Sequence, residues 1–194
     1  MTRSLSWVCL LLLPLFAFAQ NVHEVSFAKN EPFIYQDSAG KYEGCGMRST
    51  FLTKIPKHEY AADFSIGLFK ERDGKLTGLT KMIFSAIPDL SNPEKFQNLA
   101  LTNYMMADSN GIAITLSYFR AGKEKNSMLA TTYPLEVINI LGDIQSGKSI
   151  QVGVSIKGEQ NMIMFAAKPE KQLTKDEMLP LITCISKLFP SNIR

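Results

Sequence analysis

The segment Gly142-Asp143-Ile144-Gln145-Ser146-Gly147-Lys148-Ser149 satisfies the pattern of a phosphate-binding loop letter by letter. Such a loop works because a strand leads in and a helix follows, so that backbone N–H groups and the helix's positive end face the phosphates. Here the order is reversed: a helical run precedes the segment and an alternating run follows it. Gly147 therefore reads as a helix C-terminal glycine and Lys148 as a cation favourably placed at that end, and no nucleotide is expected.

The two histidines, His23 and His58, each precede a glutamate. Neither pair has metal-ligand spacing, and a zinc site takes three or four ligands. Nothing near His58 resembles a nucleophile elbow. Carboxylates such as Asp63, Asp108 and Asp143 are scattered over polar faces and turns. No residue is assigned a catalytic or metal-ligating role, no cofactor is expected, and the chain reads as a non-enzyme.

Residues 1 to 19 carry Arg3, an apolar block from Trp7 to Phe18, and Ala17 and Ala19 at the positions a signal peptidase inspects. The block is shorter than the roughly 20 apolar residues of a membrane span. The expectation is a signal peptide cleaved near Ala19, a single β-rich domain over 20–194 without a membrane span, and a periplasmic or secreted location. Cleavage would remove Cys9 and leave Cys45 and Cys184, whose one possible intramolecular pairing is expected to be a disulfide in that oxidising setting. It would also remove Arg3, so that 21 basic against 18 acidic side chains becomes 20 against 18. That balance is too even to point to nucleic acid or a membrane surface.

Two further groups of residues invite a binding role. The run from Arg120 to Asn126, with Lys123 and Lys125, reads as a charged hairpin tip on which a partner protein could dock. Met105, Met106, Met162 and Met164 would either line an adaptable apolar groove or fill a core.

The elements that must carry these residues are mostly strands. Ile112, Ile114, Leu116 and Tyr118 alternate with polar or small residues, as do Ile150, Val152, Val154 and Ile156, and Phe64, Ile66 and Leu68. Asp73-Gly74, Asn110-Gly111 and Lys157-Gly158 mark turns between them. Strands are expected near 22–27, 32–36, 46–54, 61–70, 76–87, 98–107, 112–120, 127–132, 149–157 and 161–167. A helix is expected from Pro134 to about Gln145, burying Leu135, Ile138, Leu141 and Ile144. A second starts with a capping box at Thr174 and Glu177 and buries Met178, Leu181, Ile182, Ile185, Leu188 and Phe189, with Pro180 bending it or splitting off its first turn. The expected fold class is α+β, mostly antiparallel β (sandwich or barrel-like), with one internal helix and a C-terminal helix stapled by the Cys45–Cys184 disulfide.

From Gly44-Cys45-Gly46 onward, the order of elements resembles the invasion-associated locus B family of bacterial envelope proteins. The shared features are a cysteine opening a strand, a run of hairpins, a helix ending in Gly147-Lys148, two more strands and a closing apolar helix; the family's mid-chain cysteines have no counterpart here. The resemblance implies a small periplasmic or surface protein without known catalysis, associated with virulence through contact with host cells. The expected function is protein binding, as a host-interaction factor or as an immunity protein inhibiting an exported toxin. The alternative is a periplasmic carrier of a small apolar ligand or lipid, enclosed by strand residues such as Leu79, Met82, Ile83 and Phe84; a hydrolase comes third.

Overall fold

A computed structural model describes residues 22–55, 58–88 and 95–189. The expected signal peptide and its cleavage site lie outside the described residues, as does the side chain of His58. The chain forms one ten-stranded sheet with two helices. Its strands are β1 (Val22–Gln36), β2 (Tyr42–Ile55), β3 (His58–Lys70), β4 (Leu76–Ala86), β5 (Gln97–Asn98), β6 (Leu101–Ala107), β7 (Ser117–Ala121), β8 (Met128–Thr132), β9 (Ile150–Ile156) and β10 (Ile163–Pro169). The helices are α1 (Pro134–Gln145) and α2 (Lys175–Leu188).

The spatial order is β6-β9-β10-β1-β2-β3-β4-β8-β7, with β5 paired to β4. Neighbours are antiparallel except β1 and β10, which run parallel. β1 to β4 form a meander whose period-two pattern puts Met47 and Phe51 of β2, Phe64, Ile66 and Leu68 of β3, and Met82 and Phe84 of β4 on one buried face. That face curls around its own core. Phe165 of β10 lies 5.5 Å from Phe51 and 5.6 Å from Phe84, ring centre to ring centre.

The curl brings the edge strands β6 and β7 near each other without pairing, so the sheet is barrel-like but not closed. Tyr104 of β6 shares a 2.6 Å hydrogen bond with Thr80 Oγ1 of β4 and meets the Phe119 ring of β7 edge-on at 5.5 Å. Burial pushes the Tyr104 hydroxyl's pKa up despite that bond, so it stays protonated and serves as a buried strut.

Both helices cover this inner face. α1 buries Val137, Ile140, Leu141 and Ile144 against β3, β4 and β9. Its expected inward residue Leu135 is instead 68% exposed, and Ile138 is half-buried. Two overlapping apolar stripes run along this helix; the one through Val137 docks because Gly78 of β4 leaves room for the Val137 methyl. α2 buries Met178, Leu181, Cys184 and Leu188 against β1 to β3, while Ile182 stays 47% exposed. The helix continues through Pro180, which lies on its exposed side. The Cys45–Cys184 disulfide is present, with Cα atoms 6.3 Å apart, and ties α2 to β2.

The strand expected over 112–120 is the main departure. Only Ser117–Ala121 pairs, and Ala113 makes an isolated bridge to Ala107. After the turn at Gly111 the chain leaves β6 and crosses the open seam to reach β8, so the alternation from Ile112 to Leu116 has no continuous ladder to serve. Ile112 is 66% exposed. Tyr118 takes a positive φ of 51°, which reverses the facing and leaves it exposed while Phe119 packs on Tyr104. The two strands expected near 22–27 and 32–36 are one, β1, with a bulge between Phe27 and Lys29.

Candidate functional site

Among the described residues no helix covers the outer face of β1 to β4. Register places Phe33 of β1 beside Gly46 of β2, which faces Gly67 of β3. A Cβ at Gly46 would sit 2.6 Å from the Phe33 ring and one at Gly67 2.8 Å from it, so the ring lies directly on this glycine floor. Tyr35 and Phe69 complete an aromatic wall, with ring centres 5.5 to 6.1 Å apart. Tyr35 is 55% exposed.

Next to the wall runs a row in register across six strands, polar except for Leu129: Glu31, Arg48, Ser65, Lys81, Leu129 and Arg120. Arg48 donates to both carboxylate oxygens of Asp63, at 2.9 and 3.1 Å from Nε, and also pairs through Nη2. That hydrogen bond, with the Asp63 charge, raises the guanidinium pKa further. Lys81 Nζ donates to Glu124 Oε1 at 2.5 Å and holds the Glu124 carboxyl below the usual range. Wall, floor and row enclose an open groove of about 690 Å³, closed on one side by Gly122, Lys123 and Glu124. This falls within the roughly 300 to 1,000 Å³ of small-ligand sites.

The 120–126 tip is thus the groove's flank, and it is fixed. Gly122 N donates to Ser127 O at 2.9 Å, and Asn126 takes a left-handed φ of 59°. Asn98 of β5 accepts from Asn126 Nδ2 at 2.6 Å through its carbonyl and donates from Nδ2 to the Lys125 carbonyl at 3.0 Å. Arg120, Lys123 and the Lys125 ammonium make no ion pair among the described residues. The groove therefore offers an aromatic surface beside the paired Arg48 and Lys81, with the unpaired Lys123 on one lip; Arg120 and Lys125 belong to the same hairpin but do not line it. Sequence reading finds those cations but misses the aromatic wall. The spacing Phe33-x-Tyr35 opposite Gly44-x-Gly46 is its only trace, and it has meaning only once register is known.

The phosphate-loop look-alike ends a helix, as its glycine signalled. Gly147 has φ +69°, and Lys148 Nζ pairs with Asp143 at 3.2 Å. A depression of about 440 Å³ there is bordered by Asp108, Asp143 and the carbonyl end of α1. Burial raises the Asp143 pKa, but hydrogen bonds from Ser109 and Lys148 outweigh it and keep the carboxyl below its ordinary value. Glu136 behaves alike: burial is outweighed by bonds from Thr132 Oγ1 at 2.5 Å, Thr115 N at 3.0 Å and Tyr133 N at 3.2 Å.

His23 lies half-buried in β1. No three His, Cys, Asp or Glu side chains converge on a metal-sized point among the described residues. Nor is any helix among them long and apolar enough to cross a membrane. No protein-family model matches this chain, and neither does any curated protein or solved structure compared with it.

Proposed function

We propose that this chain is an exported, non-enzymatic binding protein that holds an extended segment of a partner protein in the aromatic groove, with Arg120, Lys123 and Lys125 engaging carboxylates beside an apolar anchor. The observation that carries the reading is an open groove lined by the aromatic wall and by the unpaired Lys123, on a hairpin that also bears Arg120 and Lys125. Aromatic side chains left uncovered next to a polar rim are the usual composition of a protein-binding patch. A preformed groove and an anchored lip also reduce the ordering cost of association.

Among the described residues the carboxyls with a shifted pKa, Glu124, Glu136, Asp143 and Glu177, all move down, so none of these four is poised as a general acid at neutral pH. Export is supported by the apolar N-terminal segment and by the disulfide, a bond rare in reducing compartments. The resemblance in element order to the invasion-associated locus B family accords with an envelope location.

Panning a peptide library against the protein tests the reading. The expected enrichment is Asp- or Glu-flanked Phe, Trp or Leu, with affinity falling as salt rises. Phe33→Ala and Lys123→Ala should each weaken such peptides by about tenfold, on the scale of an anchor loss. Enrichment of uncharged sequences, or binding indifferent to both changes, would reject it. A lipid copurifying in native mass spectrometry would favour the small-ligand carrier instead.

A further inference from the structure

On the far side of the sheet from the groove, β9 runs between β6 and β10. Register sets Gly153 of β9 opposite Met105 of β6 on one side and Met164 of β10 on the other. Met162 lies two residues before Met164, hence on the same face. The inner-face residues of these strands, Tyr104, Met106, Val152, Val154 and Phe165, are buried in the core, so the three methionines lie on the opposite face, Met105 and Met162 half-buried and Met164 buried beneath them. They converge on the space above Gly153. A Cβ there would stand 2.5 Å from Met164 Sδ, 2.6 Å from Met162 Sδ and 2.8 Å from Met105 Cγ.

We propose that Met105, Met162 and Met164 form a thioether site for a soft monovalent cation, Cu(I) or Ag(I). Thioether sulfur is a soft, neutral donor that selects such ions over Mg, Ca or Zn. The two described cysteines are tied in a disulfide, which leaves methionine as the soft ligand among the described residues. The absent Cβ at Gly153 lets the Met162 and Met164 sulfurs approach one point, with the Met105 Cγ beside them and its sulfur one bond further along the side chain. Met105 and Met162 are half-buried, so an ion reaches them from solvent. The other outward residues flanking the site in register, Val22, Asn103, Gln151 and Ser155, are uncharged and do not repel a cation. This site is independent of the proposed peptide groove: it uses different strands and none of the groove's residues.

The test is titration of the full mature chain with silver nitrate in chloride-free buffer, and with Cu(I) against bicinchoninate, while following the ¹³C-methyl signals of its methionines. One equivalent should saturate the protein and move Met105, Met162 and Met164, while the core residues Met47, Met82 and Met106 stay put. Met105→Leu, Met162→Leu and Met164→Leu nearly conserve volume and should keep the fold, which circular dichroism checks. Each should weaken binding by on the order of tenfold or more, at least what metal sites lose with a supporting group. Gly153→Ala should do the same by pushing the sulfurs apart. Absence of saturable binding, equal binding by the triple leucine variant, or shifts at other methionines would each overturn the site.

Discussion

β2 presents Cys45, Met47 and Phe51 on one face and Gly44, Gly46 and Arg48 on the other, and the two faces solve opposite problems. The inner face is dry, closed by two helices and a disulfide, and its polar members are paired: Ser49 Oγ donates to Asn30 Oδ1 at 2.6 Å, and Thr80 bonds Tyr104. Among the described residues no helix covers the outer face; a strip of glycine is roofed by aromatic rings and edged with ion pairs. Area buried on the inner face holds the fold. The outer face contributes little to stability and presents surface chemistry to solvent. Substitutions on the two faces should therefore differ in what they damage.

The sharpest contrast sets Phe84 against Phe33. Phe84 is fully buried and touches Tyr60 at 4.9 Å and Phe165 at 5.6 Å. Phe84→Ala should cost about 3 to 5 kcal/mol, through lost burial and a cavity. Phe33→Ala removes an aromatic neighbour on a wet face and should cost about 1 kcal/mol. Urea midpoints at constant slope measure both; equal losses would mean that the outer wall is structural.

The disulfide comes next. It closes a loop of 139 residues between β2 and α2. Constraining so long a segment of the unfolded chain stabilises by up to about 5 kcal/mol in the loop-entropy model, and removing native bridges costs about 2 to 5 kcal/mol in practice. The Cys45→Ala, Cys184→Ala double variant should lose that much in urea unfolding. Its groove should be unaffected, because neither cysteine reaches the outer face.

How far this division is visible in the sequence differs between the faces. The inner face is legible because burial writes itself as periodicity. Phe64-Ile66-Leu68 and Val152-Val154 mark strands, Pro134 and Gly147 bracket α1, and Thr174 with Glu177 starts α2. Ile112 to Tyr118 misleads because alternation reports a surface with two environments and not a ladder; here the segment bridges the seam between two edges. The groove and the methionine cluster are illegible because each joins residues by cross-strand register. Phe33 meets Gly67, and Met105 meets Met162, only after three strands have been aligned.

A smaller effect separates the seam from both faces. Glu136 accepts hydrogen bonds from Thr132, Tyr133 and the seam residue Thr115, and its pKa is held below the ordinary 4.5. A carboxyl with a lowered folded pKa adds stability that is complete above its unfolded value and is lost as pH falls through the folded one. Glu136→Gln should lower the melting temperature at pH 7, by the equivalent of about 1 kcal/mol for lost hydrogen bonds. The gap to the parent should close as the pH falls through the parent's lowered folded pKa, where its carboxyl also protonates. A gap that persists to low pH would assign the effect to packing.

The smallest expected effect belongs to the outer-face ion pair. Arg48 and Asp63 are bidentate and so well aligned, but the Arg48 side chain is 54% exposed, and water screens the attraction. Arg48→Met keeps an unbranched aliphatic stem while deleting the charge, and should change stability by less than about 1 kcal/mol. Asp63 then loses its cation, and the groove loses the positive charge of Arg48. If the row sets the electrostatics of binding, an acidic peptide should bind Arg48→Met more weakly and with a shallower salt dependence, while the urea midpoint hardly moves. If instead the midpoint falls by several kcal/mol, the ion pair braces β2 to β3, and the outer face belongs to the fold as much as the inner one does.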